Sequence, residues 1–218
     1  LEIGCRTGAS FAQVKSKTIG VDPYFRITSN VMQSKPSLTL CQQTSDAFFE
    51  SGLLGNLNAK ISVAFLDGMH LFEYLLRDFI QTERHANPKG LIFMHDCLPF
   101  NEPQTTRDLD DIPKGSWTGD VWKLVPILTK YRPDLRIDLI NSRPTGLVCV
   151  RNLDPSNSVL KENYESILEE FADKTPLEFG PQNILCDLKP VWPVHFIAGD
   201  PFAPVRVEDA EAPQYVTP

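Results

Sequence analysis

The sequence lacks most of what would tie a chain to nucleic acid, a membrane or a disulfide framework. It has no run of Lys or Arg, and its 21 basic residues are outnumbered by 28 acidic ones, for a net charge of −7. Such a chain offers no stripe that could neutralise several phosphates in a row, so no nucleic-acid partner is expected. Its longest apolar stretches, 61–66 and 90–94, fall far short of the roughly 20 residues that cross a bilayer, so no membrane segment is expected either. No CxxC spacing occurs. The five cysteines, Cys5, Cys41, Cys97, Cys149 and Cys186, are odd in number and mostly sit in apolar runs, which points to reduced thiols and a cytoplasmic location. Repeats and low-complexity tracts are missing as well. What remains is 218 residues, 42% of them hydrophobic, enough for one domain with a real core, or one domain and a tail.

Short apolar runs alternate with stretches of helical period from Leu1 to about Leu153, the pattern of βαβ units around a mostly parallel sheet. Seven strands are predicted at 1–4, 18–21, 37–40, 60–66, 91–94, 136–140 and 146–150. Leu1-Glu2-Ile3 reads as the end of a buried strand already entering a glycine turn, so the natural sequence is expected to continue upstream. The clearest helix follows the fourth strand, with Phe72, Leu75, Leu76, Phe79 and Ile80 on one face and Glu73 and Arg77 as an exposed i,i+4 pair. A second helix is predicted over 120–130, its start delayed or its axis kinked by Pro126, and a third over 158–172.

Two segments carry no helical or strand period. The stretch from Cys97 to Gly119 holds three prolines and is longer than a compact domain normally leaves structureless, which suggests either a lid or a disordered loop. The last 45 residues, from Lys174, hold eight prolines and suggest an extended arm that wraps its own domain or a second copy of the chain, with Trp192, Phe196 and Phe202 to bury. The expected organisation is therefore a domain over 1–173 and an arm over 174–218.

The chemistry gathers at the predicted strand ends. Glu2-Ile3-Gly4-Cys5-Arg6-Thr7-Gly8-Ala9-Ser10 is a strand leaving through a glycine turn into a short helix, where the backbone can come close to a ligand. Asp22 closes the next strand, 18 residues beyond Gly4, where a carboxylate can accept from both hydroxyls of a ribose. The first turn holds no G-x-G-x-x-G, because Arg6 and Ala9 take the places of the second and third glycines; that points away from a nicotinamide dinucleotide.

At this point the sequence resembles class I S-adenosylmethionine-dependent methyltransferases, from Leu1 to about Val150. Glu2-x-Gly4-x-x-x-Gly8-x-Ser10 is similar to the first motif of the catechol O-methyltransferase-like group and of relatives that act on sugar hydroxyls. The resemblance implies that Ser10 receives the methionine carboxylate, that Asp22 binds the ribose, and that Thr44-Ser45-Asp46 lies along the adenine. Phe65-Leu66-Asp67-Gly68-Met69-His70 and Phe93-Met94-His95-Asp96-Cys97 match a D-G-x-H and H-D pairing at the ends of strands four and five. It implies a Rossmann-like seven-stranded α/β fold, helices on both faces and an antiparallel last strand.

The implied reaction is methyl transfer to a hydroxyl of a small molecule, sugar or phenol-like. Asp67 would accept from the methionine ammonium or bind a metal. A histidine, whose ordinary pKa lies near neutrality, suits the general base, and His70 is the first choice because the resemblance places it where the catechol-type enzymes have a catalytic lysine, with His95 the alternative. The catechol-type group holds Mg2+ through positions that Asp67 and Asp96 match, but Cys97 stands in place of a third oxygen, and hard cations prefer oxygen. Asp120 is a further candidate oxygen. A noncatalytic nucleoside-binding domain and a nicotinamide-dependent oxidoreductase are the rival readings. Trp117 and Trp122 could wall an acceptor pocket or anchor the long loop, Tyr24 and Phe25 could cover the nucleoside, and His85 and His195 are expected at the surface.

Overall fold

The computed structural model describes residues 1–28 and 30–199. All seven strands are present: β1 (Glu2–Ile3), β2 (Thr18–Val21), β3 (Leu38–Cys41), β4 (Ile61–Leu66), β5 (Ala86–His95), β6 (Arg136–Ile140) and β7 (Leu147–Arg151). They form one sheet in the order β3-β2-β1-β4-β5-β7-β6. β7 runs antiparallel to both its neighbours, so the last strand in sequence is inserted between β5 and β6 rather than laid at an edge. This is the Rossmann-like α/β arrangement expected of the sequence. β5 is the strand whose length differs most from expectation. It begins at Ala86, which pairs with Ile61 across a register shift, although Asn87 and Pro88 read as a turn.

Ten short helices complete the described residues: α1 (Ala9–Ala12), α2 (Ser45–Glu50), α3 (Leu53–Asn56), α4 (Phe72–Arg84), α5 (Leu124–Tyr131), α6 (Val159–Glu162), α7 (Tyr164–Phe171), α8 (Pro176–Phe179), α9 (Pro181–Leu185) and α10 (Pro193–Ala198). α4 buries Phe72, Leu75, Leu76 and Phe79 against the central strands, as its periodicity requires. The Glu73–Arg77 pair does not form. Arg77 instead grips Asp46 at 2.8 Å, and Glu73 takes Arg107 at 2.7 Å, because each finds a partner on another element that an i,i+4 neighbour cannot match in geometry. The helix predicted over 120–130 begins as a 3-10 turn at Val121–Lys123, and Pro126 falls in the first turn of α5, where its missing N–H would have had no intrahelical partner. The helix predicted over 158–172 is broken at Asn163 into α6 and α7.

Residues 174–199 are not an extended arm. They fold into α8, α9 and α10, and Phe179, Leu185, Cys186 and Leu188 pack on the main core, so this segment is part of the domain's own packing. Val191 bridges to Ile140 beside β6. Phe196 packs edge-on to Phe93, whereas Trp192 is 53% exposed and buries little. Phe202 lies outside the described residues. All five cysteines are free thiols. Among the described residues no helix is long and apolar enough to cross a membrane.

Candidate active site

The carboxyl ends of β1, β2, β4 and β5 meet on one edge of the sheet, the place where open α/β sheets bind ligands. β1 leaves through Gly4 (φ 85°), where a side chain is impossible: a Cβ would stand 1.9 Å from the Asp67 carbonyl oxygen. Glycine at this position lets the tip of β1 lie directly against the tip of β4. Glu2 is buried just below, accepting from the hydroxyl of the exposed Ser10. Burial pushes its carboxyl up to about 7. The Ser10 hydroxyl is thus directed at Glu2, and a ligand carboxylate would have to draw it away. Gly8 precedes α1 in a left-handed conformation.

Asp22 is buried at the tip of β2, and both its oxygens accept from backbone: Oδ2 from Arg6 N–H at 2.7 Å and Oδ1 from Tyr24 N–H at 2.6 Å. The acid therefore staples the glycine turn to the end of β2. Each oxygen keeps a second lone pair for a hydroxyl. Tyr24 is 78% exposed, while Phe25 packs on the small cluster of Cys5, Phe11, Ala12 and Val31 beside α1, which accounts for it as core. After β3, Thr44 caps α2 by accepting from Ala47 N–H, Ser45 bonds to the buried Asp78, and Asp46 is held by Arg77. The segment is therefore rigidly placed, with its side chains engaged with protein.

At the ends of β4 and β5 four side chains converge. His70 Nε2 lies 3.4 Å from an oxygen of Asp67 and 3.4 Å from one of Asp96. His95 Nδ1 lies 3.3 Å and 3.2 Å from oxygens of the same two acids. Asp67 and Asp96 hold protons on both rings: His95 is raised to about 10, and for His70 the two acids outweigh burial, which acts in the opposite direction. Burial would raise Asp67, but the two imidazoles overcome it and hold it low. His70 Nδ1 sits 2.8 Å from the Trp117 carbonyl, which can only accept, so Nδ1 carries the hydrogen and Nε2 is the nitrogen that faces the cluster. The Trp117 indole stacks on the His70 ring with centroids 4.9 Å apart. Trp117 therefore anchors the long loop on His70.

That loop is ordered from both sides. Gln104 O accepts from Thr118 and Gly119 N–H, and Arg107 bridges Glu73 and Asp120. Asp120 accepts from Phe72 N–H at the start of α4 and from Lys123, so it caps this helix and does not reach the acid cluster. Contrary to expectation, it offers no oxygen to a metal beside Asp67 and Asp96. The helix after Asp67 starts only at Phe72, and Asp67 does not cap it. Gly119 (φ 52°) passes so close to the His70 carbonyl that a Cβ would stand 1.6 Å away. Gly119→Ala is accordingly expected to cost about 1–3 kcal/mol or more and to shift the Trp117 contact. Denaturant unfolding and the fluorescence of Trp117 would check it, and an unchanged midpoint would show that the loop yields freely.

One supporting residue carried no signal in the sequence. Thr145, in the turn before β7, donates its hydroxyl to Asp96 and accepts Leu98 N–H on its carbonyl. Asp96 itself has φ 62°, a left-handed backbone rare for a residue with a side chain. Of the outlying histidines, His195 is exposed, but His85 is half-buried and stacked on Phe49.

Mg2+ takes an octahedron of oxygens, usually one or two carboxylates completed by waters, and here Asp67 and Asp96 supply two carboxylates. Cys97 is buried and turned back on the His95 carbonyl. The third donor grouped with Asp67 and Asp96 is the nitrogen of His95, all three ligand atoms lying within 4.8 Å of one another. The protein donors are thus two carboxylates and one nitrogen, without the third oxygen that the resemblance asks for.

Residues 1–97 match a family model, Methyltransf_24, described as a methyltransferase domain. The match spans β1 to the end of β5 and closes on His95, Asp96 and Cys97. No curated protein matches the chain.

Proposed function

We propose, from the match of residues 1–97 to a methyltransferase domain model, that this protein is a class I S-adenosylmethionine-dependent methyltransferase that methylates a hydroxyl of a small molecule, sugar or phenol-like, with His70 as the base. The donor lies across the tips of β1 and β2, its ribose on Asp22, its amino-acid end near Gly4, Gly8, Ser10 and Glu2, and its adenine toward Thr44, Ser45 and Asp46. Asp67, beside the β1 turn, accepts from the donor's ammonium. The acceptor hydroxyl sits between the sulfonium methyl and His70. Its oxygen attacks the methyl carbon as the carbon–sulfur bond breaks, S-adenosylhomocysteine leaves, and the hydroxyl proton passes to His70 Nε2.

The observation that carries this reading is the commitment of His70 Nδ1–H to the Trp117 carbonyl, which leaves one nitrogen of defined direction at the carboxyl edge of the sheet. The sulfonium is a cation, and its approach disfavours the imidazolium, so donor binding moves His70 toward the free base. The chain otherwise contributes alignment on rigid strand ends. His95, wedged between the two acids, is less suited to give up and regain a proton. Incubation with S-adenosylmethionine and a panel of hydroxylated sugars and phenols tests the proposal. Acceptor-dependent release of S-adenosylhomocysteine is expected; methylation confined to nitrogen or carbon acceptors would overturn the hydroxyl assignment.

Glu2 gives a pH signature to donor binding. Its carboxyl, raised to about 7, is neutral below that value and charged above it, and only the charged form attracts the donor's cationic end. Affinity is expected to rise with pH through this range, by at most about tenfold per unit, and to level off above it. Calorimetry with S-adenosylhomocysteine on the wild type and on Glu2→Gln would show the rise in the first and not in the second. The same slope in both would remove Glu2 from the site.

A further inference from the structure

We infer that Arg77 on α4, itself held by Tyr164 on α7, is a positioning residue that sets the choice of purine base at the donor site, a 6-aminopurine over a 6-oxopurine. The inference rests on the proposed placement of the donor's adenine toward Thr44, Ser45 and Asp46. Two neighbouring residues of α4 hold two neighbouring residues of α2. Asp78, 2% exposed, bonds to Ser45, and Arg77 takes Asp46 on both oxygens, Nε to Oδ1 at 2.9 Å and Nη2 to Oδ2 at 2.8 Å. The guanidinium is pinned in turn. Its Nη1 donates to the Tyr164 hydroxyl at 2.9 Å, whose own hydrogen goes to the Glu73 carbonyl at 3.2 Å, and Cζ lies over the Tyr74 ring, 4.4 Å from its centroid. A two-pronged pair anchored in this way differs from the loose surface ion pair that contributes little.

The hydrogen bonds from Arg77 hold the Asp46 carboxyl below its ordinary range, so it is an acceptor only. They occupy one lone pair on each oxygen and leave another on each, and the side chain stays 44% exposed, open to a ligand. Adenine presents an amino group at C6. Hypoxanthine presents a carbonyl there and carries its N–H at N1 instead. A carboxylate free to swing would follow the N–H from one position to the other; one held at both oxygens stays where only the amino base can reach it. Discrimination is therefore a property of the clamp and not of Asp46 alone. Tyr164 lies beyond the portion that matches the methyltransferase model, so the distal half of the chain reaches the base end of the site as well.

Calorimetry compares S-adenosylhomocysteine with S-inosylhomocysteine, its 6-oxo analogue, and with its own 2′-deoxy form, whose missing hydroxyl reports on Asp22 instead. The wild type is expected to prefer the amino base at least about tenfold. Arg77→Met should bring that preference close to parity, and Tyr164→Phe should reduce it by a smaller factor. Arg77→Lys restores the charge but not the fork, so the preference should stay low. The preference for ribose over 2′-deoxyribose should be unchanged in all three, whereas general damage to the site would lower both preferences together. Circular dichroism checks the fold of each variant, and should Arg77→Met fail to fold, Tyr164→Phe alone decides. A base preference that is absent from the wild type, survives either substitution in a folded variant, or falls in step with the ribose preference overturns the inference and leaves the donor reading standing. A wild type that binds none of the three nucleosides overturns both.

Discussion

His70→Ala is expected to lower turnover by roughly 10²- to 10⁴-fold, the range that a positioned general base contributes, while affinity for S-adenosylhomocysteine changes little. The separation follows from geometry. His70 faces the cluster at the ends of β4 and β5, whereas the proposed seat of the donor's ribose is Asp22, at the tip of β2. Alanine also removes the ring on which Trp117 stacks, so a second variant is needed. Trp117→Phe keeps the backbone carbonyl and an aromatic face, and should retain most of the activity. Single-turnover rates on both variants would check the assignment; a His70→Ala enzyme that keeps its chemical step would move proton removal elsewhere or make it unnecessary.

Asp22→Ala is expected to weaken S-adenosylhomocysteine binding by roughly 10²- to 10⁴-fold, since two hydrogen bonds to a charged group contribute about 1.5–3 kcal/mol each. The structure adds a second effect. The same carboxylate accepts from Arg6 and Tyr24, so its loss also frees the glycine turn from the end of β2 and lowers thermal stability. Asp22→Asn retains an acceptor oxygen and separates the two, because stability should recover more than affinity. Calorimetry with S-adenosylhomocysteine and with NADH decides the cofactor class. An unchanged dissociation constant in Asp22→Ala, or binding of NADH alone, would refute the placement.

The sheet was legible because its strands are compact apolar runs, and four of them, β1, β2, β4 and β5, are followed by an unusual residue, Gly4, Asp22, Asp67 and Asp96, where the backbone leaves the sheet. Those same residues define the edge at which the proposed chemistry is placed. Less visible was everything set by contacts distant in sequence. Nothing local shows that Thr145 supports Asp96 from 49 residues away, or that Trp117 offers His70 its carbonyl rather than only its ring. Asp120 looked like a spare oxygen at a helix start, yet the helix it caps is α4, 48 residues earlier. The proline-rich C-terminal segment misled for a related reason: Pro176, Pro181 and Pro193 each occupy a first helical turn, where proline starts a helix instead of preventing one.

The insertion of β7 beside β5 ties the two halves of the chain into one functional unit. Thr145, Trp117 and Gly119 all lie beyond the portion that matches the methyltransferase family, yet they brace the residues on which that portion ends. A fragment cut after β5 would keep the tips of β1 and β2 but lose the residues that brace Asp96 and His70, and a chimera exchanging the distal half would change the geometry of both together.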